Sequence, residues 1–324
     1  MYTNQLFKRA IQVTLIATLI FIKGCSRVDV DEPLRVGISP WPGFDIIYYA
    51  EYKELFKQAG LNVQLNRFDN MEDSSRAFLR GQLDAVYSSS WDVMQLPITE
   101  DDIHVVLITN ISSGADGIVA APDIKSVKDL VGKKVACQVG VVSHTILMEA
   151  LRLHSIDSDL VELVDVSNEL GREMLLRREV DAAVLWEPLL SKTAEQLAGN
   201  ILFTTKEIKS DVVDNLLTRK NITDEKREQL KIFVAIWFQI IDEIKKDPES
   251  VLTEIANYID APPDEFIKGY EGMTPGDLAL NHTMLGEAGE LNNVFNNLAE
   301  TMSSFTQDIN TNVYSSPEYL PKQN

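Results

Sequence analysis

The chain has 324 residues, 45% hydrophobic and 24% charged, which is too long for one small core and suits one two-lobed protein or two ordinary domains. Forty-nine acidic residues against 30 lysines and arginines give a formal charge of −19, which argues against a nucleic-acid backbone as partner and against the body lying on an anionic bilayer. The four histidines, His104, His144, His154 and His282, have neither i,i+4 nor CxxC-linked spacing, so neither a metal site nor a cofactor is expected.

Residues 1–24 read as a signal peptide. Lys8 and Arg9 precede the apolar run Ile11–Ile22, which is too short to span a bilayer comfortably. The run ends at Ile22-Lys23-Gly24-Cys25, which resembles the bacterial lipobox with Cys25 as the lipidated residue, although Lys23 stands where a small residue is usual. Ser26, rather than Asp, resembles outer-membrane sorting in a Gram-negative cell. The expectation is a monomer tethered through residues 25–33 and touching the membrane by its lipid alone. Removing residues 1–24 takes three basic residues and no acids, leaving −22. Cys137 is then without a disulfide partner and reads as a small buried hydrophobe.

Strands and helices alternate along the body. Leu34–Ser39 is a strand, Phe44–Gln58 a helix with Asp45 as its N-cap and Gly60 as its stop, and Leu61–Arg67 a second strand. Asn70–Arg80 is helical and Gln82–Ser88 a strand; Asp102–Thr109 and Gly117–Ala121 are strand-like. Ser126–Leu130 is a short helix, Lys134–Gln138 a strand, Ser143–His154 a helix, Leu160–Val166 a strand, Asn168–Arg178 a helix and Val180–Trp186 a strand. The alternation implies a parallel sheet with crossover connections. After Thr223 the chain turns helical, with Leu230, Phe233, Val234, Trp237, Ile240, Ile241 and Ile244 forming a core stripe, and Asp247-Pro248 opening a further helix. Residues 311–324 are polar and read as a loosely held tail.

Two segments echo one another. Leu79-Arg80-Gly81-Gln82-Leu83-Asp84-Ala85-Val86 matches Leu176-Arg177-Arg178-Glu179-Val180-Asp181-Ala182-Ala183 in plan: a helix end, Asp-Ala, then a buried strand. Two lobes built alike would produce this, and ligand contacts in open α/β sheets then fall just after such strands, at Ser88-Ser89-Ser90-Trp91-Asp92 and Trp186-Glu187-Pro188.

Six motifs in order carry a family resemblance: Pro40-Trp41-Pro42-Gly43-Phe44, Gly81-Gln82-Leu83-Asp84-Ala85, Ser113-Gly114-Ala115-Asp116-Gly117, Ile124-Lys125-Ser126, Leu130-Val131-Gly132-Lys133-Lys134-Val135 and residues 181–188, DAAVLWEP. Together they resemble the nitrate/sulfonate/taurine and pyrimidine-precursor (NMT1-like, SsuA-like) substrate-binding proteins of ABC transporters, over residues 34–285. The resemblance implies an α/β type II periplasmic-binding-protein fold with two Rossmann-like lobes joined by two crossing strands. Lobe 1 would hold residues 34–116 and 215–310, lobe 2 residues 117–214, and residues 311–324 would be the tail. It also implies a role: capture of a small molecule between the lobes and delivery to an ABC permease, with presentation to a membrane receptor such as a sensor kinase or cyclic-dinucleotide enzyme as the alternative.

Candidate ligand contacts are Trp41, Phe44, Trp91 and Trp186 for stacking, Ser89, Ser90 and Ser143 as small donors, and Asp116, Glu187 and Asp214 as acids. Asp45, Asp92 and Ser143 could equally be helix caps. The acids, with no arginine in the same loops, favour a neutral or basic, nitrogen-containing solute; an alkanesulfonate or nitrate is the alternative. GxSxG, HExxH and Walker motifs are absent from the sequence, and Cys137 stands alone where fungal pyrimidine-precursor synthases of this fold carry a Cys-rich motif, so catalysis is not expected.

Overall fold

A computed structural model describes residues 32–97, 102–208, 212–286, 289–303 and 308–322. The signal peptide, Cys25 and all but the last two residues of the tether lie outside the described residues. In chain order, β1 (Leu34–Ile38) leads into α1 (Pro42–Asp45), α2 (Tyr48–Tyr52) and α3 (Leu55–Gln58); β2 (Val63–Arg67), α4 (Met71–Leu79), β3 (Ala85–Ser89) and α5 (Ser90–Met94) follow. Then come β4 (Ile103–Ser112), β5 (Asp116–Ala120), β6 (Lys134–Cys137), α6 (Val142–Leu153), β7 (Glu162–Asp165), α7 (Asn168–Leu176), β8 (Ala182–Trp186), α8 (Leu189–Leu197) and β9 (Asn200–Thr204). The last part holds β10 (Val213–Arg219), α9 (Asp224–Lys246), α10 (Pro248–Tyr258), α11 (Pro263–Glu271), β11 (Met273–Pro275), α12 (Leu278–Leu285), α13 (Leu291–Met302) and β12 (Val313–Ser315).

The described strands form two sheets, in the orders β11-β4-β10-β3-β1-β2, with β12 also on β4, and β7-β6-β8-β5-β9. Both are mixed rather than purely parallel. Each has a parallel trio, β2-β1-β3 or β7-β6-β8, with one antiparallel strand beside it, β10 against β3 and β5 against β8. Those two strands are the ones reached from the other lobe, since β5 follows β4 and β10 follows β9. The two lobes are thus stitched together through the middle of their sheets.

The repeated sequence has a repeated structural job. Gly81 and Arg178 both adopt left-handed φ, +74° and +61°, just past the ends of α4 and α7. The next N–H in each case, Gln82 to Ala77 O (3.0 Å) and Glu179 to Met174 O (2.9 Å), closes a Schellman cap. Three residues past the left-handed turn comes the aspartate. Asp84 accepts from the Arg35 N–H (2.9 Å) and its own N–H donates to Arg35 O (2.8 Å). Asp181 does the same with Lys134, at 2.8 Å in both directions. Each aspartate therefore fixes the register of the third strand of its trio on the first.

Three local expectations are corrected. The single helix over 44–58 is three short pieces, and Asp45 is the last residue of α1 rather than a cap. Every residue from Trp41 to Ala50 is buried, so this stretch has no solvent face on which a straight amphipathic helix could rest, and Glu54 turns left-handed (φ 56°) before α3. Ser143 is the second residue of α6, whose N-cap is Val141. The tail is not loose: β12 pairs in parallel with the first residues of β4, Ser316 Oγ lies 2.6 Å from His104 Nδ1, and the Tyr319 hydroxyl accepts from Arg227 at 3.1 Å. These are backbone and polar contacts, which a hydrophobic-pattern reading does not register. The core stripe on α9 is buried as its spacing predicts, and Trp237 donates to Gly276 O at 3.1 Å.

The matched caps give a stability test. A non-glycine residue in the left-handed region costs about 1 kcal/mol relative to glycine, whereas the exposed Arg178–Asp123 pair (3.5 Å) contributes a few tenths. Arg178→Gly should therefore stabilise the protein by roughly 0.5–1 kcal/mol, and Gly81→Ala should destabilise it by about 1 kcal/mol, in urea unfolding.

Candidate functional site

A cavity of about 480 Å³, the size of a small-molecule site, lies between the lobes. All six strands of the two parallel trios feed it from their C-terminal ends, as expected for open α/β sheets. From lobe 1 come Ser39, Pro40, Trp41 and Phe44 after β1, Asp69 to Glu72 after β2, and Ser89 and Asp92 at the end of β3. From lobe 2 come Gln138, Val141 and Val142 after β6, Ser167 and Glu169 after β7, and Trp186 ending β8. Asp116, Val212 and Asp214 come from the crossings.

Of the residues singled out from the sequence, Trp41, Phe44, Ser89, Asp116, Trp186 and Asp214 line this cavity. Ser90, Trp91, Ser143 and Glu187 do not. Ser90 Oγ accepts from Asn215 Nδ2 at 3.0 Å inside lobe 1. The Trp91 indole donates to Gly140 O at 3.0 Å. Ser143 is buried in α6. The Glu187 carboxylate takes the Ser191 N–H (3.1 Å) and the Ser191 hydroxyl, capping α8 from within the chain. The residues missed, chiefly Asp69 to Glu72, Ser167 and Glu169, sit after β2 and β7. The strand-end rule, applied to those two strands as well as to β3 and β8, reaches them.

Aromatic and acidic side chains line the cavity together. Trp41 is nearly buried, with Nε1 3.5 Å from Asn110 Oδ1, and Phe44 packs on Tyr87 with ring centroids 5.0 Å apart. No lysine or arginine is among the lining residues. Burial pushes the Asp116 carboxyl up to about 6, against the Ser112 hydroxyl that donates to it at 2.6 Å, with Glu187 adding to the rise. Half-buried Asp92 is also raised to about 6 by desolvation, opposed by the Ser89 hydroxyl. Asp214 is pushed well above the carboxylate range, first by burial and then by Asp116 and Asp92. Asp45, beneath Phe44, rises to about 7 by burial, and its Oδ1 has no hydrogen-bond partner among the described residues. No cluster of three or more His, Cys, Asp or Glu that could hold a metal occurs among the described residues.

The chain matches the family model described as NMT1/THI5 like over residues 41–251. A Brachyspira hyodysenteriae protein, provisionally named an ABC transporter periplasmic binding protein, is 22% identical over 267 residues, covering 76% of each chain. The taurine-binding periplasmic protein of Escherichia coli is 22% identical over 231 residues, covering 68% of this chain and 72% of its own. The alkanesulfonate-binding protein SsuA of Xanthomonas axonopodis pv. citri, solved with MOPS, superposes with a TM-score of 0.69 at 14% identity, covering 89% of this chain and all of its own. The desulfurization enzyme DszB shares the architecture at a TM-score of 0.64 and 11% identity, over 84% of this chain and 92% of its own, so fold alone does not separate binding from catalysis. The architecture is the periplasmic-binding-protein fold.

The raised carboxyl groups make stability depend on pH. Their folded pKa values, about 6 for Asp92 and Asp116 and about 7 for Asp45, lie above the unfolded value of 3.8, so the folded state binds more protons in between. Their contribution is present at low pH and lost as pH rises through 6–7. Without added solute, stability from these three groups should fall by roughly 5 kcal/mol between pH 5 and pH 8. Asp214→Asn should raise the melting temperature at pH 8 more than at pH 5, as differential scanning calorimetry would read.

Proposed function

This chain belongs to the NMT1/THI5-like family, and on that premise we propose that it is a periplasmic solute-binding protein that hands a small nitrogen-containing, cationic or neutral solute to an ABC permease. Residues 1–24 act in this reading as a lipoprotein signal peptide and Cys25, the acylated first residue of the mature chain, tethers a monomeric body to the membrane, the outer one in a Gram-negative cell. No helix among the described residues is long and apolar enough to cross a membrane.

One observation carries the solute preference: Asp92, Asp116 and Asp214 line a cavity to which no lysine or arginine contributes. Above about pH 6, where Asp92 and Asp116 are ionised, an anion brought against them meets repulsion in a site of low dielectric. A cation that donates N–H groups gains from the same charges and draws their pKa values back down. The flat walls of Trp41 and Trp186 suit a ring or a planar cation. A binding rather than catalytic role is supported by the relatives, which are named as binding proteins. Cys137 is buried, with its thiol pushed well up by desolvation, and the His144 ring is depressed by burial.

A second reading, an alkanesulfonate, draws on the ligands named for the E. coli and Xanthomonas proteins. It also draws on the starts of α4, α6 and α7, where Met71, Val142 and the cap residue Ser167 face the cavity with their helix N-termini. A helix end presents roughly half a positive charge, less than Asp92 or Asp116 presents of the opposite sign once ionised above about pH 6.

Calorimetric titration and thermal shift with aminopyrimidines and small amines, beside taurine and alkanesulfonates, separate the two. A cation should bind more weakly as pH falls from 8 to 5, because Asp92 and Asp116 take up protons; a sulfonate should bind more tightly over the same range. Stabilisation by sulfonates alone would overturn the preference. For whichever solute binds, Trp41→Ala should cost about tenfold or more in affinity.

A further inference from the structure

The geometry points to Trp91 and Gln95 as a latch that holds the two lobes together from outside the ligand cavity. Both side chains come from α5 and the turn after it, in lobe 1. Both donate to one acceptor in lobe 2, the Gly140 carbonyl: Trp91 through Nε1 at 3.0 Å and Gln95 through Nε2. A backbone carbonyl has two lone pairs, so the pair of donors is chemically complete.

The anchors on each side are fixed. Gly140 has φ +81°, a left-handed turn that sets the direction of its carbonyl, and the N–H of Val139 before it is held by Asp165 at 2.9 Å. On the other side, α5 is pinned within lobe 1, since the Asn310 N–H, just before the tail, donates to Met94 O at 2.6 Å. Trp91 is 2% exposed, and lobe separation would uncover the indole as well as break its hydrogen bond.

Ligand contact and latch are divided along the same two segments. Ser89 and Asp92 line the cavity, whereas Trp91 and Gln95 do not; Gln138, Val141 and Val142 line it, whereas Gly140 does not. Solute contacts and lobe contacts therefore act on the same closure without sharing an atom. Trp91 and Gln95 are positioning residues: they set the fraction of molecules that are closed and so scale the affinity for every solute by one factor, leaving the order of preference unchanged. This goes beyond the solute assignment and does not rest on it.

Hydrogen–deuterium exchange on the full chain, with no solute added, tests the latch independently of the solute class. The variants are Trp91→Phe, which keeps an aromatic ring and removes the donor, and Gln95→Ala, an exposed position that cannot cost the core. Losing one such hydrogen bond is expected to shift the closed-to-open ratio by about 2- to 10-fold. Exchange of residues 138–142 should accelerate by that factor in at least one variant and further in the double variant, while β1 and β3 keep wild-type protection. Unchanged exchange at 138–142 in both single variants, or acceleration shared equally by β1 and β3 as a purely structural role for α5 would give, overturns the inference.

Discussion

The two aspartates that follow the helix caps hold the rest of the molecule in register. Asp84 and Asp181 each exchange a pair of hydrogen bonds with a residue at the beginning of the central strand of their trio, Arg35 (second in β1) or Lys134 (first in β6). A strand that slipped by one residue would turn its buried face outward, so this clamp decides which residues reach the core and which strand ends reach the waist. With both trios set the same way, six strand ends open onto one cavity. The crossing strands β5 and β10 dock beside those trios and bring Asp116 and Asp214 to the same place. The binding cavity is thus a consequence of register before it is a consequence of any particular side chain.

What the cavity selects follows from charge in a confined space. A surface carrying 19 excess negative charges is mostly solvated and says little about specificity. Asp116 and Asp214 differ because they are 6% and 4% exposed and sit close enough for one to raise the pKa of the other. Burial and mutual repulsion raise both carboxyls, so binding of a cation beside them would be coupled to release of protons. The family relation leaves this choice open, since its members share a scaffold whose strand-end loops can be refitted.

Closure and recognition share the same short elements but use different atoms. Over residues 89–95, Ser89 and Asp92 line the cavity whereas Trp91 and Gln95 reach the other lobe, and around Gly140 the neighbours Gln138 and Val141 line the cavity whereas the Gly140 carbonyl takes the lobe contact. Such a division lets the solute-contacting side chains change without loss of the lobe contact, because a backbone carbonyl accepts regardless of the side chains beside it.

By itself, the sequence determined the alternation of strands and helices, the α9 core stripe, the repeated lobe plan visible in residues 79–86 and 176–183, and strand-end positions such as Trp41, Ser89 and Trp186. Each of these is written in local periodicity or in a strand-to-loop boundary. Only the tertiary structure decided how each polar side chain is used. Ser90, in the serine run after β3, accepts from Asn215 Nδ2 across 125 positions of sequence. Trp91 turns to the far lobe, and the polar tail becomes a strand of the lobe 1 sheet because β4 has an edge to offer. A hydrogen bond to a residue 49 or more positions away leaves no mark on local pattern, and a backbone ladder asks little of the side chains that form it.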